Sequence, residues 1–138
     1  MEKPASIEYK SNGQILAVDI AMSDEFLKLA KQEVNEEISG MEKILNNCSD
    51  DAQIFESSEN LQKHTHKIKG LAPMMGKTSM GKLAAILDDI LKQTMAGKKP
   101  QGIIDVLKIS TEKMVQNMSN DYDLEPEIKN AKNLLDSI

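Results

Sequence analysis

Both histidines of this chain fall within residues 61–82, LQKHTHKIKGLAPMMGKTSMGK, together with three of the seven glycines and five lysines. The segment contains no acidic residue, so it carries a formal charge of +5 in a chain whose net charge is −5. A cationic segment in an acidic protein favours the handling of an anion. Because imidazole is a nucleophile that works near neutral pH, His64 and His66 are candidates for nucleophilic chemistry.

Three other interpretations of the sequence are unfavourable. Gly76-Lys77-Thr78 resembles the end of a phosphate-binding loop, but Gly70 lies six residues before Gly76, where that motif requires five, and no strand is predicted before it. His64 and His66 look like a metal-binding pair, but residues two apart on a helix diverge by about 160° and cannot share an ion. The nine methionines are spaced as core residues and favour no soft-metal site.

The composition predicts one all-α domain. The chain has 138 residues, 3 % aromatic residues and no Trp, so its core must be built from aliphatic residues and Met, which suit helices. The basic residues are all lysine, and the net charge is negative, which argues against nucleic-acid binding. No apolar run approaches the ~20 residues of a membrane span. The single cysteine, Cys48, predicts a reducing, cytoplasmic setting, and we expect a monomer.

The hydrophobic pattern divides the chain at residue 22. Residues 1–22 contain Ile7–Lys10 and Ile15–Val18 around an Asn-Gly turn, which predicts a short β-hairpin that either leans on the domain or extends from it. From residue 23 the apolar residues recur at steps of three and four. We therefore predict an up-and-down antiparallel four-helix bundle over residues 23–138, with an extra C-terminal helix.

The predicted helices are separated by short turns. Ser23 caps the first helix, and residues 46–51 form a loop before a second helix that starts near Ser57 or Ser58. Thr78 or Ser79 caps the third, and Pro126 opens the last helix. The residues predicted to face the core are Phe26, Leu29, Ala30, Val34, Ile38, Met41 and Leu45 in the first helix, Met80, Leu83, Leu87, Ile90, Leu91 and Met95 in the third, Ile103, Ile104, Leu107, Thr111, Met114 and Met118 in the fourth, and Ile128, Ala131, Leu134, Leu135 and Ile138 in the last.

The second predicted helix separates the two histidines. At 100° per residue its core-facing residues fall within a narrow arc, with His64 at the edge of this arc and His66 well outside it. The sequence therefore predicts that His66 is exposed and His64 half-buried. Pro73 predicts a kink or irregular turn at the end of this helix. The core-facing residues are Leu61, Thr65, Ile68, Ala72 and Met75.

The run His66-Lys67-Ile68-Lys69-Gly70, followed by Gly76, resembles the signature of histidine phosphotransfer (Hpt) domains, especially the one at the start of chemotaxis histidine kinases. The resemblance implies that His66 accepts a phosphoryl group and passes it to an aspartate of a receiver domain. The physical arguments agree with it. Gly70, one turn after His66, leaves open the space that a side chain would cover, and Lys69 can offset the charge of the phosphoryl oxygens.

The resemblance also implies an orienting acid on the next helix, 22 positions after the histidine, which here is Asp88. Asp88 lies on the flank of the apolar stripe, and Asp89 points further toward solvent. The family pattern has a longer Glu at this position and often a second histidine three residues earlier, where this chain has Ala85. Such an acid fixes the tautomer of the imidazole and raises the basicity of its attacking nitrogen.

We therefore expect a free-standing phosphorelay intermediate without kinase activity of its own, since 138 residues leave no room for an ATP-binding domain. Its partners would be a histidine kinase and a response-regulator receiver domain. The receiver would supply Mg²⁺ and the catalytic aspartate, so no cofactor is expected on this chain. The alternative is a helical adaptor bundle that binds signalling partners without phosphotransfer.

Overall fold

The computed structural model describes residues 23–138, together with the backbone of two short strands. The strands β1 (Tyr9–Lys10) and β2 (Gln14–Ile15) pair antiparallel, with Tyr9 opposite Ile15. Of the two pairs, Tyr9 with Ile15 joins the two predicted strands, whereas Gln14, which pairs with Lys10, was predicted to lie in the turn. Residues 11–13 and the outer parts of the predicted strands lie outside the described residues, and the predicted boundary at residue 22 stays a prediction.

Six α-helices follow: α1 (Asp24–Asn46), α2 (Asp51–Glu56), α3 (Ser58–Leu71), α4 (Thr78–Met95), α5 (Ile103–Ser119) and α6 (Glu125–Asp136). The Ser23 side chain accepts a hydrogen bond from the Phe26 amide and caps α1, as predicted. Helix α2 was not predicted, because its six residues are too few to show a helical period. Asp50 caps it, and the Asp51 carboxylate accepts hydrogen bonds from the Gly102 and Ile104 amides, which ties α2 to the start of α5.

The bundle is all-α, as predicted. Helix α3 packs between α1 and α4, α5 packs against α1, and the C-terminal α6 packs against both α4 and α5. Their apolar faces meet in one continuous core of aliphatic side chains and methionines. Most of its larger members are completely buried: Met41, Ile54, Leu61, Ile68, Met80, Leu83, Leu87, Ile90, Leu91, Ile103, Leu107 and Met114.

Two residues predicted to face the core are exposed instead. Leu29 is 64 % exposed and Met95 is 50 % exposed. Leu29 lies about 130° from the mean direction of the buried residues of α1, so steps of three and four alone placed it wrongly. Met95 is the last residue of α4, where the helix runs past the core. The first turn of α4 also differs from the prediction, since neither Thr78 nor Ser79 caps it through a side chain.

Pro73 ends α3 and shapes its connection to α4. Residues Pro73–Met75 form a 3₁₀ turn, and Gly76 follows with φ of 78°, a conformation that favours glycine. The Pro73 ring packs on α4 at Gly81, where an added Cβ would lie 2.6 Å from Pro73 Cγ. The irregular turn predicted at Pro73 is confirmed, and it brings the start of α4 against the end of α3.

Candidate functional site

His66 stands on the solvent-facing side of α3. Its side chain is 61 % exposed, whereas Leu61, Thr65 and Ile68 on the opposite face are buried. The position follows from the helical period, which turns His66 away from the apolar arc. The imidazole is therefore open to a macromolecular partner.

Gly70 leaves the space next to His66 empty. It is exposed on α3, and a Cβ built on it would meet no atom within 4 Å. The backbone does not require glycine here, since Gly70 lies within a regular helix. Because helical side chains lean toward the N-terminus, any larger residue at this position would extend over the turn that carries His66. Glycine at this position thus leaves the surface beside His66 open and is not required for packing.

Asp88 reaches the same site from α4 and is completely buried. Its Oδ2 lies 3.9 Å from His66 Nδ1, which is too long for a direct hydrogen bond. Its Oδ1 accepts hydrogen bonds from Gln62 Nε2 at 2.7 Å and from Thr65 Oγ1 at 3.2 Å. Periodicity put Asp88 on the flank of α4, which is right for the helix alone, but α3 packs over this flank and buries the carboxylate.

Two lysines approach the other oxygen of Asp88. Lys92 Nζ lies 3.1 Å and Lys69 Nζ 3.4 Å from Oδ2. Lys69, which the sequence analysis assigned to the charge of the phosphoryl oxygens, is thus directed toward the acid. We call Asp88 and its four neighbours the Asp88 cluster; the neighbours are Gln62, Thr65, Lys69 and Lys92.

The sequence reasoning assigned no role to Gln62 or Lys92, and it treated Thr65 only as a core residue. The helical period could have indicated two of these residues, Lys92 and Gln62. Lys92 follows Asp88 by four residues, and Gln62 precedes His66 by four, so each shares a helix face with a predicted site residue. The contact between Gln62 and Asp88 crosses from α3 to α4, and only the packing of the two helices reveals it.

The Asp88 cluster keeps this carboxyl ionised. Burial raises the pKa of Asp88, but hydrogen bonds from Gln62 and Lys92 and the positive charges of Lys92 and Lys69 lower it by more. The net result is an Asp88 pKa below the ordinary value for aspartate. A negative charge therefore persists beside the His66 ring throughout the physiological range. Asp89, the next residue of α4, is exposed.

His64 is held in a different environment, between α3 and α1. Its Nδ1 lies 2.7 Å from Glu37 Oε1, and its side chain is 27 % exposed. Gly40 makes room for the ring, because an added Cβ would lie 2.8 Å from His64 Nε2. Lys67 Nζ, 3.4 Å from Glu37 Oε2, completes this inter-helix contact. The half-buried position predicted for His64 is confirmed, and its partner is the Glu37 carboxylate on α1 rather than backbone or solvent.

Glu37 is a buried acid that the sequence reasoning missed, although its angle places it within the buried arc of α1. Burial raises the pKa of Glu37, but hydrogen bonds with His64 and Glu33 and the charge of Lys67 lower it by more. The charge on Glu37 therefore supports the contact with His64.

Within residues 23–138 and the two strands, no group of three or more His, Cys, Asp or Glu side chains is arranged to hold a metal ion. The same part of the chain contains no helix with the length and hydropathy needed to cross a bilayer.

Comparison with known proteins gives one match. The family model of the Hpt domain matches residues 25–133, which contain α2 to α5, nearly all of α1 and α6, and every residue of the Asp88 cluster. Searches of curated proteins and of solved structures found no significant match.

Proposed function

Because the chain belongs to the Hpt domain family, whose members carry out histidine phosphotransfer in two-component signalling, we propose that His66 is its phosphoacceptor. The chain would relay phosphoryl groups between a histidine kinase and the aspartates of receiver domains. The observation that carries this assignment is the contrast between the two histidines. His66 is 61 % exposed, whereas His64 is 27 % exposed and lies 2.7 Å from a buried acid.

The proposed step is attack by Nε2 of His66 on the phosphorus of a receiver aspartyl phosphate. Asp88 lies nearer to Nδ1, so Nε2 is the ring nitrogen that can meet a partner. The N–P bond forms as the P–O bond of the acyl phosphate breaks, and the receiver recovers its carboxylate. The ring retains the proton on Nδ1 and becomes cationic, so a negative charge beside Nδ1 favours the product. Return of the phosphoryl group to a receiver follows the same path in reverse.

Each neighbour of His66 has a distinct role in this proposal. The carboxylate of Asp88 stabilises the cationic ring across 3.9 Å and favours the tautomer with the proton on Nδ1. Lys69 offsets the negative charge of the phosphoryl oxygens. Gly70 provides the clearance that a receiver active site needs in order to close over the histidine.

Within the Hpt family, we assign this chain to the type of Hpt domain found in chemotaxis kinases. The spacing of His66, Lys69, Gly70 and Gly76 and the acid at position 88 support this assignment. The receiver would bring Mg²⁺, and the chain itself would use no cofactor and have no kinase activity. We place it in the cytoplasm as a monomer, and its single, buried Cys48 fits a reducing compartment.

The rival function is an adaptor bundle that binds signalling partners without accepting phosphate. Incubation with a receiver domain carrying a labelled aspartyl phosphate separates the two. Phosphotransfer predicts label on this chain that is lost in acid and kept in alkali, and return of the label to fresh receiver. Stable binding of the receiver with no label on the chain would favour the adaptor and contradict the proposal.

A further inference from the structure

We propose that Lys92 is a second phosphate-binding cation of the site, which pairs with Asp88 before transfer and turns to the phosphoryl oxygens after it. This inference rests on the proposed function of His66 and extends the site to a residue of α4. Its basis is the shared oxygen of the Asp88 cluster. Lys92 Nζ, at 3.1 Å, and His66 Nδ1, at 3.9 Å, both approach Oδ2 of Asp88, so one carboxylate separates the ammonium from the ring.

The cluster carries an excess of positive charge, which favours the binding of an anion. Two ammonium groups, from Lys69 and Lys92, share the single negative charge of Asp88, which leaves one positive charge without a counter-ion in the cluster. Lys67, the other lysine beside His66, is directed to Glu33 and Glu37 on α1. A protein-bound phosphoryl group carries about −1.5 to −2 charges near neutral pH, so its arrival offsets this excess.

The proposal requires a side chain with access to solvent, and Lys92 has it. Lys92 is 50 % exposed and Lys69 is 38 % exposed, whereas Asp88 is completely buried. The carboxylate is also fixed from its other side by Gln62 and Thr65. The lysines can therefore leave Oδ2 while the acid stays in place, and Oδ2 then becomes available to the cationic ring that transfer creates.

Lys92 differs from Lys69 in its position relative to the ring. Lys69 lies on the same helix as His66, three residues later, while Lys92 projects from the neighbouring helix. The two ammonium groups thus approach the shared oxygen of Asp88 from two helices. Cations placed next to a transferring phosphoryl group offset the charge on its oxygens.

The test uses the whole chain and potassium phosphoramidate, a small donor that needs no receiver. Nε2 of His66 forms the N–P bond as the P–N bond of phosphoramidate breaks, ammonia leaves, and the ring keeps its Nδ1 proton and becomes cationic. The variants are Lys92→Gln, which removes the charge, and Lys92→Arg, which keeps it. Lys129→Gln is the matched control, because it removes the same charge from an exposed position on α6.

We expect Lys92→Gln to be phosphorylated about 5-fold more slowly than wild type, the effect of about 1 kcal/mol from one partly exposed charge. Lys92→Arg should come within about 2-fold of wild type, since a tenfold change corresponds to about 1.4 kcal/mol and the charge is retained. Lys129→Gln should match wild type. In wild type, the NMR signals of the Lys92 Cε and Nζ groups should shift on phosphorylation, while those of Lys129 stay in place.

Wild-type rates in Lys92→Gln, or unchanged Lys92 signals in fully phosphorylated wild type, would overturn the inference. A Lys92→Arg rate as low as that of Lys92→Gln would overturn it too. The rate would then depend on the shape of the lysine side chain and not on its positive charge. These results leave the phosphorylation of His66 itself intact. Failure of folded wild type to take up any phosphoryl group would instead overturn the proposed function, and this inference with it.

Discussion

Asp88 presents its Oδ2 to Nδ1 of His66 at 3.9 Å, from the helix that packs alongside the histidine. The distance excludes a direct hydrogen bond but allows an electrostatic interaction, because the carboxylate is buried and ionised. Gln62, Thr65, Lys69 and Lys92 already occupy both of its oxygens. The acid thus acts on the ring as one member of a cluster rather than as a dedicated hydrogen-bond partner.

Replacement of this acid should slow transfer without abolishing it. Asp88→Asn keeps the shape of the side chain but removes the negative charge that stabilises the cationic ring. We expect phosphorylation of His66 to slow by about 5- to 10-fold, which corresponds to about 1 to 1.4 kcal/mol. Stopped-flow or quench measurements of label transfer provide the rate. Asp89→Asn is the matched control, since Asp89 is adjacent and exposed, and equal rates for all three proteins would contradict a role for Asp88.

The same carboxyl should contribute to acid sensitivity. The pKa of Asp88 is lowered in the folded protein, so its contribution to the free energy of unfolding is fully present above the pKa of an unfolded aspartate. That contribution is lost as the pH falls through the lower pKa of the folded state. Asp88→Asn cannot titrate, so the stability difference between wild type and variant should shrink as the pH falls below about 4. Urea unfolding between pH 3 and 7 measures this, and a difference that is constant over the range would contradict it.

Gly70 should matter for a protein partner and not for a small donor. Gly70→Leu meets no atom within 4 Å at its Cβ, and it improves helix propensity by up to about 1 kcal/mol. We therefore expect a higher unfolding temperature together with slower transfer from a receiver domain. Phosphorylation by phosphoramidate should stay within about 2-fold of wild type, since a small donor needs less clearance and an unchanged barrier leaves the rate unchanged. A variant as fast as wild type with the receiver would show that the glycine provides no needed clearance.

Substitution of glycine by alanine should change the free energy of unfolding in opposite directions at Gly40 and Gly70. Gly40→Ala places a Cβ 2.8 Å from His64 Nε2, so the ring must move away from its contact with Glu37. We expect a loss of about 1 to 3 kcal/mol in the free energy of unfolding, as is typical of overpacking. Gly70→Ala, which meets open space, should stabilise the protein by up to about 1 kcal/mol. Chemical denaturation measures both, and equal stability changes would contradict this account of His64 packing.

Periodicity was enough to predict the main helices and the orientation of both histidines, because each depends on residues within one helix. It failed where the outcome depends on a neighbouring element. The six residues of α2 are too short to show a period, and they are fixed by the contacts of Asp51 with the start of α5. The burial of Asp88 and its contact with Gln62 arise only when α3 covers the flank of α4. Charged clusters that cross helices are therefore the part of this site that sequence reasoning could not supply.

The identity of the phosphorylated residue is the central claim, and two matched variants test it most directly. His66→Gln and His64→Gln each remove one of the two imidazoles of the chain. Labelling by a phosphorylated receiver, followed by mass spectrometry under alkaline conditions, locates the phosphoryl group. We predict that wild type and His64→Gln carry it on His66, that folded His66→Gln carries none, and that His64→Gln loses some stability. Label that persists in His66→Gln, or maps to His64 in wild type, would contradict the assignment.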